Sequence, residues 1–388
     1  MLALAAAAFL AVTSETLPTG LLPEMAGGLH VTTPQAGLLV SVYAFTVVIA
    51  ATPLTALTRR IPRRLLVVGV IVVIGLSSLL LAVAPNYGVA VVARITGGMA
   101  HGVFWAVTGA YAGHIVAPAQ LARAVSITSG GVSLALILGA PLATIVGHAV
   151  DWRFAFAMVG CLLIVGAAVV GVMLPKTARE PLPVTTGATR VVRGSRRDAS
   201  IRPVILLCVL TGLITLGNFT LNAYIAPFVI SAMHLGAGAV GPMLFVGGVM
   251  GAIAVGLVGT VLGRIPNRAI TTGLVLTAIA IALLGAFAGV PPVAIAAFAL
   301  WALAFGCLPP LLQTELLHVA SPRFRDTASA LYTTAFNVGI GGGAIVGGAV
   351  YAVWGIGVLP WTALAILAVS LVMLGFTLRV VSRAKPAL

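Results

Sequence analysis

The chain has 388 residues, of which 61% are hydrophobic and only 7% charged, with a mean hydropathy of +1.19. That much apolar side chain cannot be enclosed in one soluble core, so the composition excludes a soluble globular protein and implies repeated membrane crossing. A formal charge of +14 would suggest a nucleic-acid partner in a soluble chain, but the basic residues fall in short breaks between apolar runs, where they signal topology, and nucleic acid is excluded as a partner.

A spanning helix needs roughly 20 apolar residues, and twelve segments qualify: 2–24, 35–58, 65–84, 88–116, 122–149, 153–174, 203–230, 238–262, 269–289, 292–318, 326–352 and 358–380. The first lacks a basic n-region and outruns a signal-peptide h-region, so it reads as an uncleaved span. Gly289-Val290-Pro291-Pro292 supplies the turn between the ninth and tenth. Cys161, Cys208 and Cys307 lie inside apolar segments, too far apart for a disulfide framework or a metal site, and read as small hydrophobes.

Of the 21 Lys and Arg residues, all but Arg94 and Arg153 fall on one side of the membrane if the segments alternate. By the positive-inside rule that side is the cytoplasm, which also receives both termini, and the pattern requires an even number of spans. Residues 175–202 form the one long polar break, a basic cytoplasmic linker between N-terminal (1–174) and C-terminal (203–388) six-helix bundles. The halves echo each other. Arg60-Ile61-Pro62-x-Arg64 recurs as Arg264-Ile265-Pro266-x-Arg268, and Ile145-Val146-Gly147-x-Ala149-Val150 recurs as Ile345-Val346-Gly347-x-Ala349-Val350, at offsets of 204 and 200. Equivalent helices of two parallel repeats would carry such echoes.

Several stretches resemble the major facilitator superfamily, in its drug:proton antiporter group, nearest the bacterial sugar-efflux and chloramphenicol-efflux branches. They are Thr16-Leu17-Pro18-Thr19-Gly20-Leu21-Leu22-Pro23 after Glu15, Arg94 with Ala100-His101-Gly102-Val103-Phe104-Trp105, Gly139-Ala140-Pro141 to Gly147, Asp151-Trp152-Arg153, Tyr224-Ile225-Ala226-Pro227-Phe228-Val229, and Phe336-Asn337-Val338-Gly339-Ile340-Gly341. The resemblance implies an all-α membrane protein with twelve transmembrane helices in two six-helix pseudo-repeats, the major facilitator fold. It marks the Gly139-x-Pro141 stretch as an antiporter signature, which favours efflux over uptake. The family's Gly, Asp and Gly after the second helix stand here as Thr55, Arg59 and Pro62, while Arg60, Arg63 and Arg64 keep the basic half. Arg60 and Arg64 are therefore expected at a conformational gate, whose acidic latch is either weakened here or supplied by Asp326.

Charge stranded in apolar segments carries the chemistry. A charge there costs several kcal/mol on insertion scales, so such acids face a cavity, pair with a base or take up a proton. Glu15 lies nine residues before Glu24 and Arg94 seven beyond Tyr87, about 13 Å and about 10 Å below one face of the membrane. The two are predicted at one level facing a central cavity, with Glu15 alternating between ionised and protonated forms; a fixed structural pair is the alternative. His101 follows Arg94 by two helical turns and lies about 21 Å deep, where an imidazole could exchange protons or bind substrate, or sit neutral against one hydrogen-bond partner. Trp105, at i+4 from His101, offers a stacking surface or faces lipid. Tyr43, Asn218, Asn222, Tyr224 and Asn337 are the remaining candidates to bind substrate hydroxyls, helix-to-helix hydrogen bonding being the alternative for the amides. Pro141, flanked by Gly139 and Gly147, should kink segment five and let it approach a neighbour closely.

No Gly-rich loop ending in Lys-Ser/Thr exists, which excludes an ATP-driven pump, and neither HExxH nor GxSxG supports an intramembrane enzyme. The expectation is proton-coupled antiport of a small neutral or amphiphilic solute such as a sugar or drug, by a monomer without cofactor or metal in a bacterial-type plasma membrane. Its partners are that solute, protons and the lipid bilayer, and the alternative is a solute uptake symporter.

Overall fold

The structure, a computed structural model, describes residues 2–58, 61–115, 121–173, 200–322 and 324–384. Twelve helices among these are long and apolar enough to cross a membrane, which matches the twelve segments expected. Contacts divide the chain into two compact units, the first holding spans one to six together with Ile225–Ile230 and Leu235–Gly248, the second the remaining C-terminal residues.

The first unit comprises α1 (Leu2–Gly20), α2 (Leu22–Gly28), α3 (Thr33–Leu57), α4 (Arg63–Ala82), α5 (Tyr87–Ile115), α6 (Leu121–Leu134), α7 (Ala140–Ala149) and α8 (Trp152–Met173). Segment one is not a single helix, because Pro23 has no N–H to return to the preceding turn; the chain breaks at Leu21 and restarts as α2. A capping box opens α3: the Thr32 hydroxyl accepts from the Gln35 amide, while the Gln35 side chain accepts from the Thr32 amide. Segment five departs from expectation in how it meets Pro141. A π-helical turn at Ala135–Gly139 precedes the proline, and the Ala140 N–H returns to the Ala135 carbonyl, five residues back. Wider turns of this kind relocate a backbone bond that a proline cannot make.

The second unit comprises α9 (Ile201–Asn222), α10 (Val240–Thr260), α11 (Pro266–Phe287), α12 (Pro291–Val319), α13 (Arg325–Trp354) and α14 (Leu359–Ala384); the first half of α10 belongs by contacts to the first unit. Segment seven stops at Asn222 rather than running to 230, followed by a single turn at Ile225–Pro227 and a π turn at Phe228–Ala232.

The same pairings recur inside each unit. In the first, α1 packs on α6, α7 and α8, and α4 on α5 and α8; in the second, α9 packs on α13 and α14, and α11 on α12 and α14. Span for span these are equivalent contacts, so the echoes in sequence correspond to a duplicated helix arrangement.

Small residues make the closest of them. A Cβ built on Gly139 would overlap Thr13, and one on Gly147 would lie 2.7 Å from Leu21 Cδ2, both residues of the α1 side. Two hundred residues on, a Cβ on Gly339 would meet Thr215 Cβ at 2.6 Å and one on Gly347 would overlap the Thr220 carbonyl, both on α9. Such smooth faces let backbones approach within reach of dispersion contact in a solvent that offers no hydrophobic drive.

Candidate functional site

Arg94 is the hub of the polar cluster in the first unit. It is buried, its Nε donates to the Leu39 carbonyl of α3 at 3.2 Å, and Nη2 and Nη1 donate to the Glu15 and Ser14 carbonyls of α1 at 3.3 and 3.5 Å. Pro18 explains one of these acceptors: lacking an N–H, it leaves the Ser14 carbonyl without its helical partner. The guanidinium also lies 4.0 Å above the Tyr43 ring, a cation–π contact shielded from water. Arg94 and Glu15 thus share a level, as the depth count predicts, but the arginine takes the glutamate's backbone rather than its carboxylate.

The carboxylate turns to His101 instead. Glu15 Oε2 is 3.2 Å from His101 Nε2, with the histidine side chain 2% exposed and the glutamate 26%. Helical side chains lean toward their own N-terminus. On antiparallel spans one and four this tips Glu15 and Arg94 apart, and Glu15 toward His101, two turns further along α5. His101 also meets Tyr43 edge-on, with ring centroids 5.5 Å apart, and Trp105 donates its indole N–H to the same Nε2 at 2.7 Å. The Tyr43 hydroxyl and His101 Nδ1 are buried with no hydrogen-bond partner among the described residues.

Glycines bring these helices together. A Cβ on Gly98 would lie 2.9 Å from the Tyr43 carbonyl and one on Gly102 3.0 Å from the Val47 carbonyl, so α5 can approach α3 only where it carries glycine on that face. Ser14 and Ser78 complete the cluster with a hydroxyl–hydroxyl bond of 2.8 Å between α1 and α4, a contact not anticipated from sequence.

In the second unit the candidates do not form one cluster. Asn218 accepts from the Trp301 indole at 2.8 Å, tying α9 to α12, and the Tyr224 hydroxyl donates to the Ala344 carbonyl of α13 at 2.8 Å. Asn337 donates to Thr333 of its own helix at 3.0 Å, and Asn222 is half-buried. Arg64 is a cap rather than a free cation: its guanidinium donates to the Gly171 carbonyl near the C-terminal end of α8, with Nε at 2.8 Å. Arg60 and the Asp326 side chain lie outside the described residues.

Sequence reasoning also passed over a second carboxylate–imidazole pair, in which His148 Nδ1 of α7 sits 2.9 Å from Glu24 Oε1 of α2. Its signal was present, since both residues end apolar segments on the same face of the membrane. Arg153 is likewise more than a flank of span six: it donates to the carbonyls of Ala82, Ala84 and Gly28 and so ties the ends of α4 and α2 to the start of α8.

Comparison with known proteins is consistent with this architecture. The family model described as Major Facilitator Superfamily matches residues 4–314. A protein of Mannheimia succiniciproducens described as a probable sugar efflux transporter is 28% identical over 373 residues, covering 96% of this chain and 92% of that protein. Two solved structures of a bacterial homolog to the human lysosomal transporter Spinster, both 14% identical, share the fold. The inward-facing occupied form gives a TM-score of 0.77 over 100% of this chain and 96% of that one, and the unoccupied form 0.75 over 99% and 96%.

Proposed function

The chain belongs to the Major Facilitator Superfamily, and from that premise we propose that it exports a small neutral or amphiphilic solute, such as a sugar, in exchange for protons by alternating access. The observation that carries this reading is the Glu15 carboxylate, placed in mid-span against His101, with its backbone held by Arg94. An acid in that position is tolerated when it can trade its charge for a proton as water reaches it from alternate sides. The described relative supports a sugar as the cargo class, and the helix arrangement repeated in the 1–174 and 203–388 halves supports rocking of those halves about the 175–202 linker, with both termini cytoplasmic.

Reconstituted protein tests this. Sugars, purine nucleosides and amphenicol drugs are screened by thermal shift, and the best binder is followed in liposomes under an imposed pH gradient. Glu15→Gln is expected to keep thermal-shift binding and lose gradient-driven transport. Unchanged proton-driven transport and pH dependence in that variant would remove Glu15 as the proton carrier.

A further inference from the structure

Nε2 of His101 has two neighbours that cannot both be satisfied. It lies 3.2 Å from Glu15 Oε2 and 2.7 Å from Trp105 Nε1. An imidazole nitrogen offers one in-plane position, occupied by either a proton or a lone pair, and an indole N–H can only donate. With a proton, Nε2 donates to the carboxylate and meets the indole N–H head-on. Without one, it accepts from the indole and turns a lone pair toward the carboxylate. Nδ1 provides no second route, because it is buried and makes no hydrogen bond among the described residues. The titratable and charged groups around the imidazole are Glu15 from α1 and Tyr43 from α3, and Arg94 on its own helix spends its donors on carbonyl oxygens. Trp105 is the least enclosed member of the set, being 38% exposed while His101 is 2% exposed.

We propose that Glu15 and Trp105 compete for this nitrogen and that the competition links protonation to cargo. The idea rests on the antiport reading above and names its coupling element. When Nε2 is bare, the Trp105 N–H is held by His101, and the fixed indole face is a platform on which a sugar ring or an aromatic cargo stacks. When a proton from water settles on Nε2, it is shared with Glu15, the indole loses its acceptor, and the platform swings free. Cargo and proton then oppose each other's binding by the same factor, as exchange requires. Trp105 acts as a specificity-determining residue toward cargo and as a positioning residue toward the proton site.

The test uses purified full-length protein without cargo or gradient, so it can succeed or fail independently of whether transport is antiport. Proton uptake is measured against pH for the native chain and for Trp105→Phe, which keeps an aromatic ring but has no N–H, with Trp105→Leu as an independent route to the same loss. The hydrogen bond favours the bare nitrogen, so its removal is expected to tighten proton binding about fivefold and move the uptake curve roughly 0.7 pH unit toward alkaline. The emission difference between the native chain and Trp105→Phe isolates Trp105, and it should change over the same pH interval as uptake. Superimposable uptake curves, or Trp105 emission that stays constant through the uptake interval, would overturn the competition.

Discussion

Pro18 and Arg94 should be energetically coupled although they are on different helices. The Ser14 carbonyl lacks its helical donor because residue 18 is proline, and Arg94 Nη1 is the group that reaches it. Arg94→Lys replaces a fork that serves three carbonyls with one ammonium that cannot span them. Losing two bonds from a charged donor, each worth about 1.5 kcal/mol at the low end of the range, predicts a cost of about 3 kcal/mol. Pro18→Ala restores an N–H for the Ser14 carbonyl, so in that background the same Arg94→Lys change should cost about 1 kcal/mol less. The assay is the unfolding midpoint of the four proteins of the cycle in detergent, where about 2–4 °C corresponds to each kcal/mol for a folding unit of this size. Effects that add within about 0.5 kcal/mol would refute the idea that the proline creates the acceptor the arginine fills.

Gly131 and Gly147 both face the α1 side, yet a Cβ on Gly131 would overlap the Ala5 backbone while one on Gly147 meets only the Leu21 side chain. Gly131→Ala should therefore lose about 1–3 kcal/mol, and Gly147→Ala clearly less because a leucine can rotate away; thermal unfolding of the two variants ranks them, and the reverse order would contradict the packing. Tyr224→Phe should cost about 1 kcal/mol of stability through the lost bond to the Ala344 carbonyl while leaving KM for cargo unchanged, since the hydroxyl is already spent inside the unit. A raised KM with unchanged stability would restore Tyr224 as a substrate contact.

Spans and their number were legible because hydrocarbon thickness imposes a length that composition alone reveals. The places where that reading faltered are places where the backbone changes its hydrogen-bond partners. Pro23 splits segment one at Leu21, and Pro141 is met by a π turn rather than by a bend in a regular helix. Both prolines were visible, but which neighbouring carbonyl takes the freed amide is a property of the fold. The site shows the same division. Counting residues from helix ends set Glu15 and Arg94 at one level, since that needs only the rise per residue. It could not see that the arginine's donors would be claimed by carbonyls, one of them released by Pro18, leaving the carboxylate to His101.

Duplication sharpens what is special about that pair. At the offset of 200 read from one repeated motif, His101 corresponds to Trp301, while Glu15 corresponds to Thr215, one turn before Asn218 on the equivalent helix. In the second unit Asn218 and Trp301 are bonded to each other, amide oxygen to indole N–H at 2.8 Å, between the helices equivalent to α1 and α5. Each half therefore has a side-chain polar bridge across the same pair of spans. One bridge is a carboxylate facing an imidazole, whose hydrogen bond is rewritten by a single proton; the other joins an amide and an indole, neither of which titrates in water's accessible range. At this bridge, then, the scaffold repeats the contact between the same two spans but places a carboxylate and an imidazole in one copy only. The second half keeps a permanent bond where the first has a conditional one.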